Sequence, residues 1–373
     1  MPRWYPNRYD KMWGLFVQKH AKAVSAFHKI SVLYLHPFDE LEEQEWIEKE
    51  NGSVYTLYIY YPKPKSKIAY FIKFFKTYLQ GLKHIKARNQ VDLIHVHILT
   101  RMGLLALLSN LTHRIPYVIT EHWSRYLPAV QVYKGLLRKR LTQWVISKSK
   151  AVMPVTQNLK EAMQYHELHH PNYQIVPNVV DDIFFKANLK YKKTEEKRII
   201  HVSTFEDKSK NISGIIDAIN KIKDSRSDFK MVLIGDGMDF DKMQAKVKKL
   251  HLEDKIEFTG LLEKKALVQE YEKAVFMLIN SNYENMPVVI NEAFATGLPV
   301  LSTNVGGISE RLNLDRGRLI EPGQPNQLVE QMIWMLDHFH EFDSSQIREY
   351  AKAHFSMEAV GEQICAIYEK ALL

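Results

Sequence analysis

Two glutamates, Glu284 and Glu292, and the backbone amides between them carry the densest chemical content of this 373-residue chain. They lie in Ser281-Asn282-Tyr283-Glu284-Asn285-Met286-Pro287-Val288-Val289-Ile290-Asn291-Glu292-Ala293-Phe294-Ala295-Thr296-Gly297. Proline is tolerated at the first helical position and glycine just past the last, so the apolar run predicts a helix from about Pro287 to Thr296. A helix N-terminus has unpaired N–H groups and roughly half a positive charge, which suits a phosphate. Glu284 in the loop facing that end then suits ligand hydroxyls, with the amides of Asn285 to Val288 taking the phosphate. Glu292 sits inside the helix among Val288, Val289, Ile290, Ala293 and Phe294, where a carboxylate needs a partner. Two plainer readings stand beside this one: Glu284 caps the helix, and Glu292 pairs with a buried Lys or Arg.

The elements around this stretch must position it. Ala274 to Ile279 reads as a buried parallel strand ahead of the loop, and Val300 to Thr303 as another after the helix. Gly306-Gly307 then lets backbone approach the phosphates. Elsewhere, Val91-Asp92-Leu93-Ile94-His95-Val96-His97 ends a strand in two histidines on one face, and Pro116 to Thr120 leads into Glu121-His122. Ligands bind at the carboxyl ends of parallel strands, so three histidines at two such ends point to a cleft. A metal site would need further ligands, and no Cys or nearby carboxylate supplies them.

Composition bounds the chain. The length favours two or three domains with their own cores, and 46% apolar with 25% charged residues is ordinary globular usage. The single cysteine, Cys365, allows no internal disulfide and suggests a reducing compartment. The opening residues lack a signal-peptide core, and the apolar runs fall short of the ~20 residues of a spanning helix. The net charge of +8 is uneven: residues 1–190 hold 27 Lys+Arg against 14 Asp+Glu, whereas 191–373 hold 24 against 29. Pro62 to Arg88 has eight Lys or Arg and no acid, with Ile68, Phe71, Ile72, Phe75, Leu79 and Leu82 at helical spacing. Gln131 to Lys150 repeats the pattern. Such helices lie on an anionic membrane or pack their stripe on a sheet with lysines in water. No RNA-binding motif accompanies them, so nucleic acid is not an expected partner.

Glu-x7-Glu-Ala, then Gly297-Leu298-Pro299-Val300 and Val305-Gly306-Gly307-Ile308-Ser309-Glu310, resembles the donor-site signature of the GT-B retaining glycosyltransferases of family 4. The similarity covers nearly the whole chain. It implies an α/β fold of two Rossmann-like domains facing across a cleft, with a C-terminal helix that crosses back to the first domain. On this basis the N-terminal acceptor domain is 1–185 joined by 357–373, and the donor domain is 195–356. Glu284 would meet the donor sugar's hydroxyls, Glu292 the ribose, and Asn285, Met286, Pro287 and Val288 the sugar and diphosphate. Gly14 matches the glycine of the family's first loop, and His122 the histidine that reaches the transferred sugar. Gly260 and Leu261 would lie beside the base. Lys210 matches a lysine that neutralises the diphosphate; Thr204 stands where the family has an arginine, and a hydroxyl does not replace a bidentate cation. Val179, in the interdomain turn Pro177 to Asp181, stands where the family usually has glycine. A strand precedes the first loop in the family, and Met1 to Asn7 offers none, so a strand ahead of Met1 is expected.

Taken in order, a helix follows Gly14 to about Ala26, Ile30 to Leu35 and Val54 to Tyr61 read as strands, and acidic Glu40 to Glu50 as a solvated helix. Ala151 to Val155 and Gln174 to Pro177 are the last strands of the first half. A lysine-rich linker, Lys186 to Lys197, leads to strands at Ile199 to Val202, Met231 to Ile234 and Ile256 to Leu261. Gly235-Asp236-Gly237 lacks the third glycine of a dinucleotide fingerprint, which argues for a tight turn rather than NAD binding.

The expected activity is transfer of a sugar from a UDP- or GDP-sugar to a hydroxyl of a glycan or lipid-linked acceptor, without metal or other cofactor. His122, Glu284 and Lys210 carry catalysis in this reading. The expected setting is bacterial surface polysaccharide synthesis in the cytoplasm, with an anionic inner membrane face as a candidate partner. A nucleotide-sugar 2-epimerase and a non-catalytic nucleotide-sugar-binding protein are the alternatives.

Overall fold

The computed structural model describes residues 1–99, 101–188 and 196–373. Through Val179 the elements are α1 (Leu15–Val24), β1 (Ile30–Phe38), β2 (Glu45–Asn51), β3 (Val54–Pro62), α2 (Lys67–Arg88), β4 (Ile94–His97), α3 (Arg101–His113), β5 (Tyr117–Glu121), α4 (Leu136–Lys148), β6 (Ala151–Pro154) and α5 (Gln157–Tyr165). Next come α6 (Asp182–Phe185), β7 (Lys197–Val202), α7 (Asp207–Lys210), α8 (Ile212–Ile222), β8 (Phe229–Ile234), α9 (Phe240–Lys249), β9 (Ile256–Gly260), α10 (Lys264–Lys273) and β10 (Ala274–Ile279). The chain ends with α11 (Val288–Ala295), β11 (Val300–Thr303), β12 (Gly317–Ile320), α12 (Pro325–His338), α13 (Ser344–Phe355) and α14 (Met357–Leu372).

The chain divides into two compact units, Met1–Val179 with Met357–Leu373, and Val180–Ser356. The break falls after Val179 rather than near 185, because Phe184 packs edge-on against Tyr271 and so fixes α6 to the second unit. Of the expected linker, residues 189–195 lie outside the described residues, and β7 begins at Lys197.

The first unit has two three-stranded sheets among the described residues, ordered β1-β3-β2 and β4-β5-β6. Helix α2 buries Phe74, Tyr78, Leu82 and Ile85 against one face, with Leu33, Leu35, Leu57 and Ile59. Val17 of α1 covers the other with Val32, Tyr34 and Tyr58. Helix α14 joins this unit through Val360, Ile364, Cys365 and Ile367, packed with Ala23, Val24, Val118 and Met153. Gly361 permits that contact, since a Cβ there would sit 2.7 Å from the Ala23 carbonyl oxygen.

Two local expectations fail in this unit. Glu45–Asn51 is a strand, not a helix, paired antiparallel to β3 from Glu45↔Tyr60 to Asn51↔Val54. Gly52, at φ 59, supplies the positive φ that a two-residue hairpin loop requires. The acids belong to an edge strand, where charge blocks further pairing. Arg8, His84 and Arg88 bond Glu45, Glu48 and Glu50. Gln174 to Pro177 is not a ladder strand: only Tyr173 bridges Val152, and the segment runs on as irregular chain bonded to β6 by Gln174 and Val176.

The second unit is a six-stranded parallel sheet ordered β12-β11-β10-β7-β8-β9. Its strands are buried on both faces and read as unbroken apolar runs, as in Ala-Val-Phe-Met-Leu-Ile of β10. Helix α8 puts Ile212, Ile215, Ile216 and Ile219 on one face, and α11 puts Ile290, Ala293 and Phe294 on the other.

Gly14 tests the first loop directly. It has φ 69, and a Cβ would meet the Trp4 carbonyl carbon at 2.3 Å. Gly14→Ala should therefore cost about 2 kcal/mol or more in guanidinium unfolding, from left-handed strain plus the backbone clash. A variant as stable as the parent would show that Trp4 and Tyr5 do not pack there.

Candidate active site

In the second unit the chain order reverses between β7 and β10. From β7 the connections run outward through β8 to β9, and from β10 they run the other way to β11 and β12. A parallel sheet opens a crevice beyond the carboxyl ends of its strands at such a point. The loops after β7 and β10 meet there. Asn282 donates its backbone N–H to Ser209 O at 2.8 Å and its amide to the Lys208 carbonyl at 3.0 Å. Lys210 Nζ lies 2.5 Å from Glu284 Oε1, which also accepts from the Ser281 hydroxyl at 2.9 Å. The Lys210 and Glu284 side chains are 20% and 11% exposed, so the ion pair is largely withdrawn from water.

Helix α11 starts from this loop. Pro287 is its N-cap with no side-chain cap bond, and it brings no N–H of its own. Of the first-turn amides, Ile290 N–H bonds Pro287 O at 3.1 Å; those ahead of it have no preceding turn to bond, as at any helix start. The other end closes as expected from Gly297: Leu298 N–H bonds Ala293 O, and Gly297 N–H bonds Phe294 O, with Gly297 at φ 72. Glu284 therefore precedes the helix without capping it. Glu292, buried, accepts the Tyr271 hydroxyl at 3.4 Å. Burial, then the Glu292 charge, pushes the Tyr271 phenol well up. Met286 turns its side chain into the core, which leaves only its backbone for a ligand. Asn291, which sequence reasoning passed over, is fully buried with neither side-chain polar atom bonded.

The glycines bring backbone segments together around the site loops. Gly306, at φ 61, lies so close to the site loop that a Cβ would fall 2.0 Å from Glu284 O, and Gly307 N–H donates to Asn285 O at 2.7 Å. Gly235 and Gly237 do the same for the β7 loop, where a Cβ would come within 1.9 Å of Ser203 O and 2.7 Å of Phe205 N. Thr204 is exposed in that loop, and exposed Lys208 holds Asn282 through its carbonyl rather than its charge. At the end of β9, Gly260 has φ 70 with open space beside it, and Leu261 is exposed.

In the first unit His122 follows β5. With Asn178 Oδ1 accepting at 3.1 Å, His122 Nδ1 carries a proton and Nε2 takes the Nδ1–H of His97 at 3.2 Å. His20 Nε2 donates to Pro177 O at 3.1 Å, leaving His20 Nδ1 unpartnered. One nitrogen from each of these three rings lies within 4.8 Å of the others, a set that could hold a divalent ion if it replaced the His97–His122 bond. His95 bonds Tyr368 and Thr120, both at 2.6 Å, and stacks on His97. Burial pushes all four imidazoles down, His20 to about 4 and the others well below their ordinary value. Glu121 is the residue that the sequence did not single out. Fully buried, it accepts the backbone N–H groups of Leu99, His122 and Trp123 at 3.0, 3.0 and 2.9 Å, and so fixes the turn that presents His122.

His201 of β7 is equally enclosed, between Leu278 O and Ser203 Oγ, and burial lowers it to about 4. In the unfolded chain such rings protonate near pH ~6.5. Between about pH 4 and 6.5 the unfolded chain then binds more protons, so stability falls as pH drops through that window, by up to ~1.4 kcal/mol per pH unit and ring. The melting temperature should drop from pH 7 to 4.5, and His201→Asn should flatten part of that slope. An unchanged slope would place His201 in water.

Comparison with known proteins agrees with this layout. The family Glycosyltransferase Family 4 matches residues 16–183, and Glycosyl transferases group 1 matches residues 182–354. The N-acetyl-alpha-D-glucosaminyl L-malate synthase of Bacillus anthracis is 30% identical over 303 residues, 77% of each chain. A putative teichuronic acid biosynthesis glycosyltransferase of Bacillus subtilis is 28% identical over 262 residues, 67% of this chain and 62% of that one. Among solved structures, sucrose-phosphate synthase from Thermosynechococcus elongatus superposes with TM-score 0.75 at 17% identity, covering 95% of this chain and 92% of that one. Anabaena HepE in complex with UDP gives 0.68 at 17%, covering 84% and 86%. With parallel sheets in both units and both family halves matched in sequence, the chain belongs to the group 1 glycosyltransferases and has the GT-B fold.

Proposed function

We propose that the chain is a retaining glycosyltransferase that moves a sugar from a UDP- or GDP-sugar to a hydroxyl of a glycan or lipid-linked acceptor in bacterial surface polysaccharide synthesis. The carrying observation is the Lys210–Glu284 pair at the switch point, beside the start of α11. Breaking the bond from the anomeric carbon to the diphosphate puts negative charge on phosphate and positive charge on the sugar ring. Lys210 and the α11 N-terminus oppose the first charge, a preorganised electrostatic contribution. When a diphosphate takes Lys210, Glu284 is released to the sugar hydroxyls, and Glu292 takes the ribose. The acceptor oxygen bonds to the anomeric carbon on the face that the phosphate leaves, and its proton passes to the departing phosphate oxygen. Glu284, and His122 once its Nε2 gives up the His97 bond, orient the sugar, so this scheme uses no protein general base and no metal or other cofactor. The UDP complex of a structural neighbour supports the donor class, and the teichuronic acid relative the glycan acceptor; the L-malate synthase relative supports sugar transfer to a hydroxyl, there of a small hydroxy acid rather than a glycan.

Thermal shift with UDP, GDP, ADP and their sugars tests the donor. A nucleotide at 100 times its Kd should stabilise by about 2.7 kcal/mol, and Glu292→Ala should abolish the shift. Lys210→Ala should cut turnover by ~10² or more, in line with loss of one transition-state donor. Turnover of the nucleotide sugar with no acceptor would favour an epimerase, and binding without turnover a binding protein.

The same reading includes peripheral membrane attachment on the inner, cytoplasmic face. No helix among the described residues is long and apolar enough to cross a membrane. Part of the α2 stripe is buried, yet Ile68 and Ile72 are 74% and 64% exposed beside Lys65, Lys67 and Lys76. On α4, Leu136 and Leu137 are each 73% exposed beside Lys134 and Arg138. Vesicles with 30 mol% anionic lipid should sediment the protein at low salt but not at 0.5 M, and Ile68→Ser with Ile72→Ser should weaken binding. Full solubility with such vesicles at low salt would remove this part.

A further inference from the structure

Three buried histidines of the first unit converge from separate elements. His20 lies on α1, His97 ends β4 and His122 follows β5. They are 1%, 5% and 9% exposed. The rings of His97 and His122 stack with centroids 5.5 Å apart, and the His20 ring stands 5.6 and 5.3 Å from them. One nitrogen of each lies within 4.8 Å of the other two. Sequence reading paired His97 with His122 and lacked a third ligand, which the packing of α1 supplies.

Hydrogen bonds fix which nitrogens turn inward. His20 Nε2–H donates to Pro177 O at 3.1 Å, so Nδ1 holds the lone pair, and that enclosed atom has no hydrogen-bond partner. A buried acceptor left so is rare in native structures. His122 Nδ1–H donates to Asn178 Oδ1 at 3.1 Å, which aims the Nε2 lone pair at His97. Metal-bound imidazoles are held in this way, the outer nitrogen donating to an oxygen while the inner one ligates. His97 Nδ1 and His122 Nε2 are 3.2 Å apart. Two nitrogens each ~2.05 Å from one tetrahedral ion are separated by ~3.3 Å, so this pair already has the required spacing. When an ion displaces their hydrogen bond, the proton on His97 Nδ1 passes to Nε2, and the ring stays neutral.

We propose that His20 Nδ1, His97 Nδ1 and His122 Nε2 form a site for a divalent transition ion of the Zn²⁺ class, with water in the fourth position. Three imidazoles with no ligating carboxylate suit Zn²⁺, Co²⁺ or Ni²⁺ rather than Mg²⁺ or Ca²⁺. Glu121 contributes charge instead of a ligand. It is fully buried next to His122 in the chain, with its oxygens accepting the N–H groups of Leu99, His122 and Trp123. The ion takes no part in sugar transfer. It competes for His122 Nε2, so it inhibits transfer, a consequence that rests on the proposed role of His122 in orienting the sugar.

The test titrates the untagged, chelator-stripped chain with Co²⁺. The intense visible absorption of a tetrahedral ion should saturate at one equivalent, vanish on adding Zn²⁺ and persist with Mg²⁺. His20→Ala should weaken Zn²⁺ at least ~100-fold, and Asn178→Ala, which removes only an outer hydrogen bond, ~10-fold. A second measurement needs no variant, in case these fail to fold: Zn²⁺ should move the imidazole ¹⁵N resonances of His20 and His122 and leave those of His201 in place. No tetrahedral absorption, undiminished affinity in a folded His20→Ala chain, or shifts confined to other histidines would each overturn the proposal. Zn²⁺ bound at these three rings without loss of nucleotide-sugar turnover would uphold the site and remove His122 from the proposed chemistry, so the two readings fail separately.

Discussion

The parallel pairing of β7 with β10 is the constraint on which the candidate site of the second unit depends. Ala274 and Met277 lie opposite Arg198 and Ile200. Right-handed crossovers carry the connections from these two neighbours in opposite directions. Beyond their carboxyl ends the two loops that follow meet, Asn282 bonding Ser209 and Lys208. A cation from one loop and a carboxylate from the other meet there at 2.5 Å, although 74 residues separate them. In isolation such a pair contributes little in water; partly withdrawn from solvent, it fixes both loops and stores a cation where anionic ligand chemistry can use it.

Backbone proximity maintains this arrangement. The loop bearing Glu284 lies against Gly306, and the loop bearing Thr204 lies against Gly235 and Gly237, at separations that exclude any side chain. These glycines clamp site loops from behind. The consequence is that the Glu284 loop and the start of α11 are held in place by backbone packing.

The first unit solves a different problem, that of polar groups in an apolar interior. Its histidines at the ends of β4 and β5 are neutral because burial disfavours the imidazolium, and each bond that fixes them goes to a carbonyl, hydroxyl or second ring. Glu121 keeps its place by gathering backbone N–H groups from two segments. A neutral His122 adds no positive charge at the end of β5, and its two ring nitrogens are taken by Asn178 and His97.

The sequence by itself determined what depends on neighbours along the chain. The α11 helix was legible because Pro287 and Gly297 bracket it, the strands of the second unit because their apolar runs are unbroken, and the family because Glu284 and Glu292 sit eight positions apart ahead of the glycine pair. Local reading failed at Glu45–Asn51, where dense charge suggested a solvated helix although Asn51-Gly52 is a hairpin signal. Only the tertiary structure decided that Lys210 meets Glu284, that Gly306 packs on Glu284 and that Glu121 holds the His122 turn. The physical reason is the same in each case. Propensity and periodicity act over a few residues, while strand order, which brings remote loops to one sheet edge, is settled by how whole elements bury their apolar faces together.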